Sequence, residues 1–324
     1  MPMKVQIFGD HVFSDEFATG FREAGLEAEC LKPATPDELE KAIRDAQPDI
    51  FMTLGTPTFY KQEMLAVVGR KPCPGTLYIH WDTDGVLWES LEVKVILLTR
   101  ADMVFTICPV MQERIERLGI PCHVLPFASN PDMHHPTPED GRYAGQISFV
   151  GSWYTPLAQT NPDHLRHRSM KVLFNPLFDN GREVHFYGYI ARTYPYIKIF
   201  GREFPRSCFH GHFPYEHIHK IFSGSFINLV PQNYEHSVIK RAFEIVGSGG
   251  FGLSYDTPAM RETFPPGNGF VYASSPQETL DIVEYYMTEP AAYDRVRENG
   301  LINASKHTYR QRAEVIISKL FPKD

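Results

Sequence analysis

Lys240 and Glu244 stand four residues apart in the segment HSVIKRAFEIVGSGGFGLSYD, which runs from His236 to Asp256. On a helix that spacing puts them on one face, with Arg241 and His236 close by. One turn can thus present two cations and a carboxylate together. Cations match a diphosphate, and a carboxylate accepts hydrogen bonds from the two hydroxyls of a ribose, so a nucleoside diphosphate that carries a sugar needs both. The same spacing also describes an exposed Lys–Glu pair on a surface helix. Gly247, Gly249 and Gly250 change the balance, because a helix that ends in Gly-Ser-Gly-Gly and passes straight into a strand lets backbone approach a ligand closely. A helix cap accounts for one of those glycines. His236 and Ser237, at the start of this segment, join the candidate donor-binding set.

Four further groups are worth weighing. In QISFVGS a strand leads into Gly151 and Ser152, and a glycine there clears space for phosphate or sugar; Arg166 and Arg168 follow near a helix start, where cation and helix dipole meet an anion or else simply face water. HWDTDG, from His80 to Gly85, places Asp82 and Asp84 after a strand. Two carboxylates can hold a divalent cation against a diphosphate, but these lie in a different half of the chain from the cation cluster, so Asp82 is read as shaping a cleft or meeting an acceptor, with a plain Asx turn as the alternative. Asp10 and His11 follow the first strand at Gly9; either suits orienting an acceptor or taking a proton from its hydroxyl, and a turn-stabilising Asp suits the same pattern. His210, His212, His217 and His219 form two His-x-His pairs without Cys or carboxylate partners at zinc-site spacing, so no metal is expected there. His212 and Phe213, in that same loop with Tyr215, are read instead as flanking a nucleobase, against an equally suitable role as aromatic core.

The elements that must position these groups alternate along the chain. KVQIFG, EAECL, DIFMTLG, TLYIHW, MVFTI and CHVLPF read as strands separated by helical stretches such as TPDELEKAIRDA and VMQERIERLGI. That alternation predicts a parallel sheet with crossover helices. The pattern breaks at SNPDMHHPTPEDGRYAG and resumes with QISFVGS, VHFYGY, SFINLVP, the helix SVIKRAFEIVGSG, FGLSYD and GFVYA. The expected fold is α/β with two tandem Rossmann-like domains facing across a cleft: residues 1–136 on the acceptor side, 137–305 for the nucleotide-sugar, and 306–324 as a terminal helix. Ligands of open parallel sheets bind at the C-terminal ends of the strands.

Bulk properties remove several classes of function. Of 324 residues 43% are hydrophobic and 22% charged, and 39 acidic against 32 basic residues give a formal charge of -7, which disfavours a nucleic-acid or anionic-membrane partner. The five cysteines are scattered and never in a Cys-x-x-Cys pair, as suits reduced thiols; with no bilayer-length apolar run and no cleavable leader in MPMKVQIFGD, a cytoplasmic chain is expected. No Gly-x-Ser-x-Gly elbow, Walker A loop, His-Glu-x-x-His or kinase set is present. Sugar transfer or sugar isomerisation is the large class that remains, with a non-catalytic nucleotide-sugar-binding module as the alternative to both.

The chain resembles the CgeB-type spore-maturation glycosyltransferases, a branch of the GT-B, family-1-like glycosyltransferases. The likeness runs over most of its length, through LYIHWDTD, RADMVFTICPVMQERIERLGI, LPFASNPDMHHP, QISFVGS, VHFYGY, HSVIKRAFEIVGSGGFGLSYD and KHTYRQRAEVII in that order. The resemblance implies a GT-B fold whose final helix returns to the first domain, and a glycosyltransferase without cofactor or obligatory metal. The implied donor is a UDP-, GDP- or TDP-sugar; the acceptor is a glycan, a protein or a small molecule. It implies that Glu244 holds the ribose, that Lys240 and Arg241 neutralise the diphosphate, and that Gly249 and Gly250 pass near sugar and phosphate. One departure stands out: Glu235 precedes Glu244 by nine positions, where the best-known retaining relatives keep eight.

Overall fold

A computed structural model describes residues 2–55, 60–138, 141–153, 161, 163–188 and 196–322. The chain divides into two compact units, Met1–Phe127 with Thr308–Asp324, and Ala128–His307.

In the first unit β1 (Lys4–Gly9), β2 (Glu27–Leu31), β3 (Ile50–Leu54), β4 (Leu77–Asp82), β5 (Met103–Thr106) and β6 (Cys122–Val124) alternate with α1 (His11–Glu23), α2 (Pro36–Ala46), α3 (Gln62–Gly69), α4 (Glu89–Thr99) and α5 (Pro109–Glu116). Every described pairing is parallel, in the order β2-β1-β3-β4-β5-β6. All five residues of β3 are buried, as expected of a strand covered by helices on both faces. The local sequence specifies the ends of α2: Thr35 caps its N-terminus through a side chain that accepts from the Glu38 N–H, Pro36 opens it, and Gln47 turns left-handed after it.

The second unit holds β7 (Ile147–Val150), α6 (Leu165–Asp179), β8 (Val184–Tyr187), α7 (Tyr196–Phe200), β9 (Phe209–Gly211), α8 (Ile218–Gly224), β10 (Ile227–Val230), α9 (Lys240–Gly247), β11 (Gly252–Tyr255), α10 (Pro258–Thr263), β12 (Phe270–Ala273), α11 (Pro276–Thr288) and α12 (Pro290–Ala304). Its sheet is also parallel, in the order β12-β11-β10-β7-β8-β9. Counted within the unit, this is the doubly wound order 3-2-1-4-5-6. Its core is strongly aromatic, with Phe149, Trp153, Phe174, Phe186, Phe200, Phe204 and Phe209 in one cluster. Two parallel six-stranded sheets, each with its helices, make this the two-domain α/β fold that the alternating sequence predicts.

The last helix, α13 (Tyr309–Leu320), belongs to the first unit. A capping box between Thr308 and Gln311 starts it. Tyr309 then meets Phe17 edge-on, with ring centroids 5.0 Å apart, and Arg312, only 7% exposed, donates to the carbonyls of Pro126 and Phe127 at 2.8 Å each. Burial lowers the Arg312 pKa to about 10. Gly20 of α1 lies directly under α13, and a Cβ there would sit 2.4 Å from the Tyr309 carbonyl. Backbone cannot rotate away as a side chain can, so Gly20→Ala must displace α13. The variant should lose about 1–3 kcal/mol of stability, measured as a lower denaturation midpoint; an unchanged midpoint would show that α13 is not held against α1.

Candidate functional site

The order of the second sheet sets the position of its crevice. β7 and β10 are neighbours, and the chain winds away from them in opposite directions, so their C-terminal ends part at the switch point where α/β sheets take ligands. Gly151 and Ser152 follow β7 directly. Gly188, at the end of β8, has φ +123°, and a Cβ on it would lie 2.4 Å from the Gly151 carbonyl oxygen, so these two backbones meet only because residue 188 is glycine. Arg166 pins the crevice. Its guanidinium donates to the carbonyl oxygens of Ser152 and Pro231 and to Asn233 Oδ1, each at 3.1 Å, which joins the ends of β7 and β10. With 4% exposure Arg166 is part of the scaffold, whereas Arg168 is exposed.

The helix expected over SVIKRAFEIVGSG begins later than its pattern suggests. Ile239 is extended and serves as the N-cap, so α9 opens at Lys240, and His236 and Ser237 stand before it, the first exposed and the second buried. The β-branched pair Val238 and Ile239 suits that extended approach. As a result Lys240 and Arg241 occupy the first turn, where the positive end of the helix dipole adds to their charge and no side chain caps the helix.

Glu244, one turn further on, is fully buried. Lys240 Nζ lies 2.6 Å from its Oε1, and Arg241 pairs with its Oε2. Tyr215, in the short turn that follows β9, donates its hydroxyl to the same Oε1 at 2.5 Å, and Lys240 Nζ contacts that hydroxyl and lies 4.7 Å from the centre of the tyrosine ring. Burial by itself would raise the Glu244 pKa, but Arg241 and Lys240 outweigh it and hold the carboxyl far below its usual range. His134 completes the group, 3.8 Å from Glu244 Oε1 and 3.4 Å from the Tyr215 hydroxyl. Burial pushes its pKa down to about 3, and its Nδ1 accepts from the Asn130 N–H, so Nε2 carries the proton that faces the cluster. Within the second unit, two cations against one carboxylate and a neutral imidazole at a helix N-terminus form an arrangement that can take an anion, with a hydrogen-bond acceptor inside it.

The remaining expected residues are dispersed. Gly249 adopts φ +69° as the left-handed residue after α9, and the Gly250 N–H donates to the Ile245 carbonyl at 2.9 Å. Both sit at the opposite end of this eight-residue helix from Lys240, roughly 12 Å away. Phe213 packs edge-on against Tyr143 and Tyr187, and His212 is exposed beside it. The histidines of the two His-x-His pairs part company: His210 hydrogen-bonds His185 at 3.0 Å and stacks on Tyr187, while His219 stacks near His135.

In the first unit Asp10 follows β1 at the switch point between β1 and β3, and its carbonyl accepts from the Ser14 N–H in the first turn of α1. Its carboxylate is 3.8 Å from the exposed His11 ring. Asp82 is buried: Oδ1 accepts from the N–H groups of Asp84 and Gly85 at 3.0 and 2.8 Å, and Oδ2 accepts from the Thr106 hydroxyl at 2.6 Å. This is the Asx turn that the Asp-x-Asp spacing allowed, and it ties β4 to β5. Behind it lies a network that no local spacing reveals. Glu92 of α4 lies beside the Asp82 carboxylate, His80 Nε2 lies 3.0 Å from Glu92 Oε2, and Thr53 Oγ1 lies 2.9 Å from His80 Nδ1. Burial, then the Asp82 charge, raises the Glu92 pKa well above normal, and burial lowers that of His80 to about 3, so Glu92 carries the proton it shares with Asp82 and His80 is neutral.

The fold is that of the GT-B glycosyltransferases, and residues 166–318, which include α9 and its cluster, match the family model described as glycosyl transferase-like. Anabaena Alr3699/HepE in complex with UDP and glucose superposes with a TM-score of 0.66 at 12% identity, over 99% of this chain and 100% of that one. AviGT4, a glycosyltransferase involved in avilamycin A biosynthesis, gives 0.60 at 13% identity over 98% and 97%. A putative UDP-N-acetylglucosamine 2-epimerase from Listeria monocytogenes gives 0.57 at 12% identity over 100% and 98%. No curated protein matches the sequence. Among the described residues no helix is long and apolar enough to cross a membrane.

The Glu92 network carries a pH signature of defined sign. An unfolded Glu ionises near pH ~4.3, while folded Glu92 keeps its proton, so the folded state binds one more proton above that pH and stability falls as pH rises. Glu92→Gln keeps a donor toward Asp82 and an acceptor toward His80 without a titrating proton. Its denaturation midpoint should exceed that of the wild type by a few degrees at pH 8 and lose that advantage near pH 4. An equal difference at both would show that Glu92 is ionised in the fold.

Proposed function

We propose that this chain is a CgeB-like glycosyltransferase that moves a sugar from a nucleoside diphosphate to an acceptor hydroxyl. The observation that carries the reading is the Lys240, Arg241 and Glu244 cluster on the first turns of α9, with its net positive charge and its buried acceptor. The ribose hydroxyls donate to Glu244, and the diphosphate lies against Lys240, Arg241 and the uncapped N–H groups of the helix. The bond from the anomeric carbon to the diphosphate oxygen breaks, a bond to the acceptor oxygen forms, and the acceptor's proton passes to a base, for which Asp10 and His11 are the candidates. Charge that develops on the departing diphosphate meets cations already in place, so a divalent cation is not required. UDP is the first base to test, because Anabaena Alr3699/HepE was solved with UDP and glucose.

The test is turnover of UDP-glucose, followed as released UDP across a panel of glycan, peptide and small-molecule acceptors with EDTA present. Arg241→Ala should lower kcat/KM by about 10²- to 10³-fold, in line with loss of one preorganised charge contact to the leaving group. Glu244→Ala should abolish binding, since it removes the acceptor for the ribose hydroxyls and releases Lys240 and Arg241 from the place where the carboxylate fixes them. Product in which the sugar is altered but still joined to the nucleotide would replace transfer with isomerisation.

A further inference from the structure

Lys240 and Tyr215 both reach Glu244 Oε1. Lys240 supplies a charge, and Tyr215 supplies the neutral donor, an O–H at 2.5 Å. A hydroxyl on a short hydrogen bond to this carboxylate is the same chemical group, in the same role, that a ribose would bring. Glu244 is also closed to water, so a ribose reaches it only when the tyrosine hydroxyl leaves. Tyr215 is placed to do so. It is half-buried, lies in the turn Tyr215–His217 between β9 and α8, and reaches Glu244 through its hydroxyl, while its ring rests against the Lys240 ammonium. His134 Nε2, 3.4 Å from the hydroxyl, offers a second donor to the oxygen of whichever group occupies the place.

We propose that the Tyr215 hydroxyl is a placeholder for a ribose hydroxyl on Glu244, which makes Tyr215 a positioning residue that selects ribonucleotide over deoxyribonucleotide donors. The inference rests on the reading of α9 as the nucleotide site. Its logic is an exchange of equals. A ribonucleotide replaces the tyrosine O–H with its own, so the carboxylate is satisfied before and after. A nucleotide that lacks the hydroxyl either leaves Tyr215 in place and gains nothing from Glu244, or displaces it and strands a buried acceptor. The donor is accordingly a UDP- or GDP-type ribonucleotide and not a thymidine one. Removing the tyrosine hydroxyl while keeping its ring empties the place in advance, so the ribonucleotide no longer has to break a hydrogen bond to enter.

Calorimetric titration of wild type and Tyr215→Phe with UDP, 2′-deoxy-UDP and 3′-deoxy-UDP tests this. In the wild type UDP should bind about tenfold or more tightly than 2′-deoxy-UDP, the analogue that lacks the same hydroxyl as a thymidine nucleotide. Tyr215→Phe should bind UDP about three- to tenfold more tightly than the wild type, with no gain for that analogue. A merely structural role for the hydroxyl would shift all three ligands together, and direct contact of the hydroxyl with the nucleotide would weaken UDP; either result, or no change, overturns the proposal. If the wild type does not bind UDP, the reading of α9 as a UDP site itself fails and this inference with it. If UDP binds and is lost in Glu244→Ala, but Tyr215→Phe behaves like the wild type, the site stands and the placeholder alone is wrong.

Discussion

A carboxylate taken wholly out of water must be matched by charge or give up its own, and the organisation of the second unit follows from how Glu244 meets that constraint. Glu244 remains ionised because Lys240 and Arg241 reach it from the first turn of its own helix. In return the carboxylate fixes two flexible cationic side chains in one place, so that they are in position before any anion arrives. Tyr215 ties the turn after β9 to the same group, and His134 ties in the segment that opens the unit. Three stretches distant in sequence thus converge on one buried oxygen pair.

The sheets give that cluster its setting. In the second unit the doubly wound order opens a crevice between β7 and β10, and Arg166 spends its hydrogen bonds on holding the two strand ends together. The first unit has a different order, 2-1-3-4-5-6, and so its switch point lies between β1 and β3, beside Asp10. Its buried polar groups do another job. Asp82, Glu92, His80 and Thr53 form a buried polar network across β3, β4 and α4, in which the protonated Glu92 and neutral His80 keep the buried charge to that of one carboxylate.

Alternation of apolar strands with amphipathic helices was enough to read the α/β class and the tandem sheets, because both signals are local and periodic. The Lys240, Arg241 and Glu244 cluster was legible for the same reason, since helical spacing alone brings the three together. The start of α9 was not, because the apolar pattern of Ser237 to Ile239 continues that of the helix while its backbone is extended. Tyr215 and His134 lie 29 and 81 residues apart from their partners in the cluster, at separations where no periodicity operates. Nothing in the local spacing of ESLEVKVILLT singles out Glu92, because only tertiary packing turns it inward. The glycines after α9 lie at the end of the helix away from its cations: Gly249 forms the left-handed cap, and a Cβ on Gly250 would meet the Phe222 carbonyl.

The central claim is that the first turns of α9 hold the nucleotide, and a crystal structure of the protein with UDP tests it most directly. The account predicts the ribose hydroxyls within hydrogen-bond distance of Glu244 and the diphosphate against Lys240, Arg241 and the N-terminus of α9. A nucleotide seated elsewhere, with the Lys240–Glu244–Arg241 cluster still closed on itself, would contradict it.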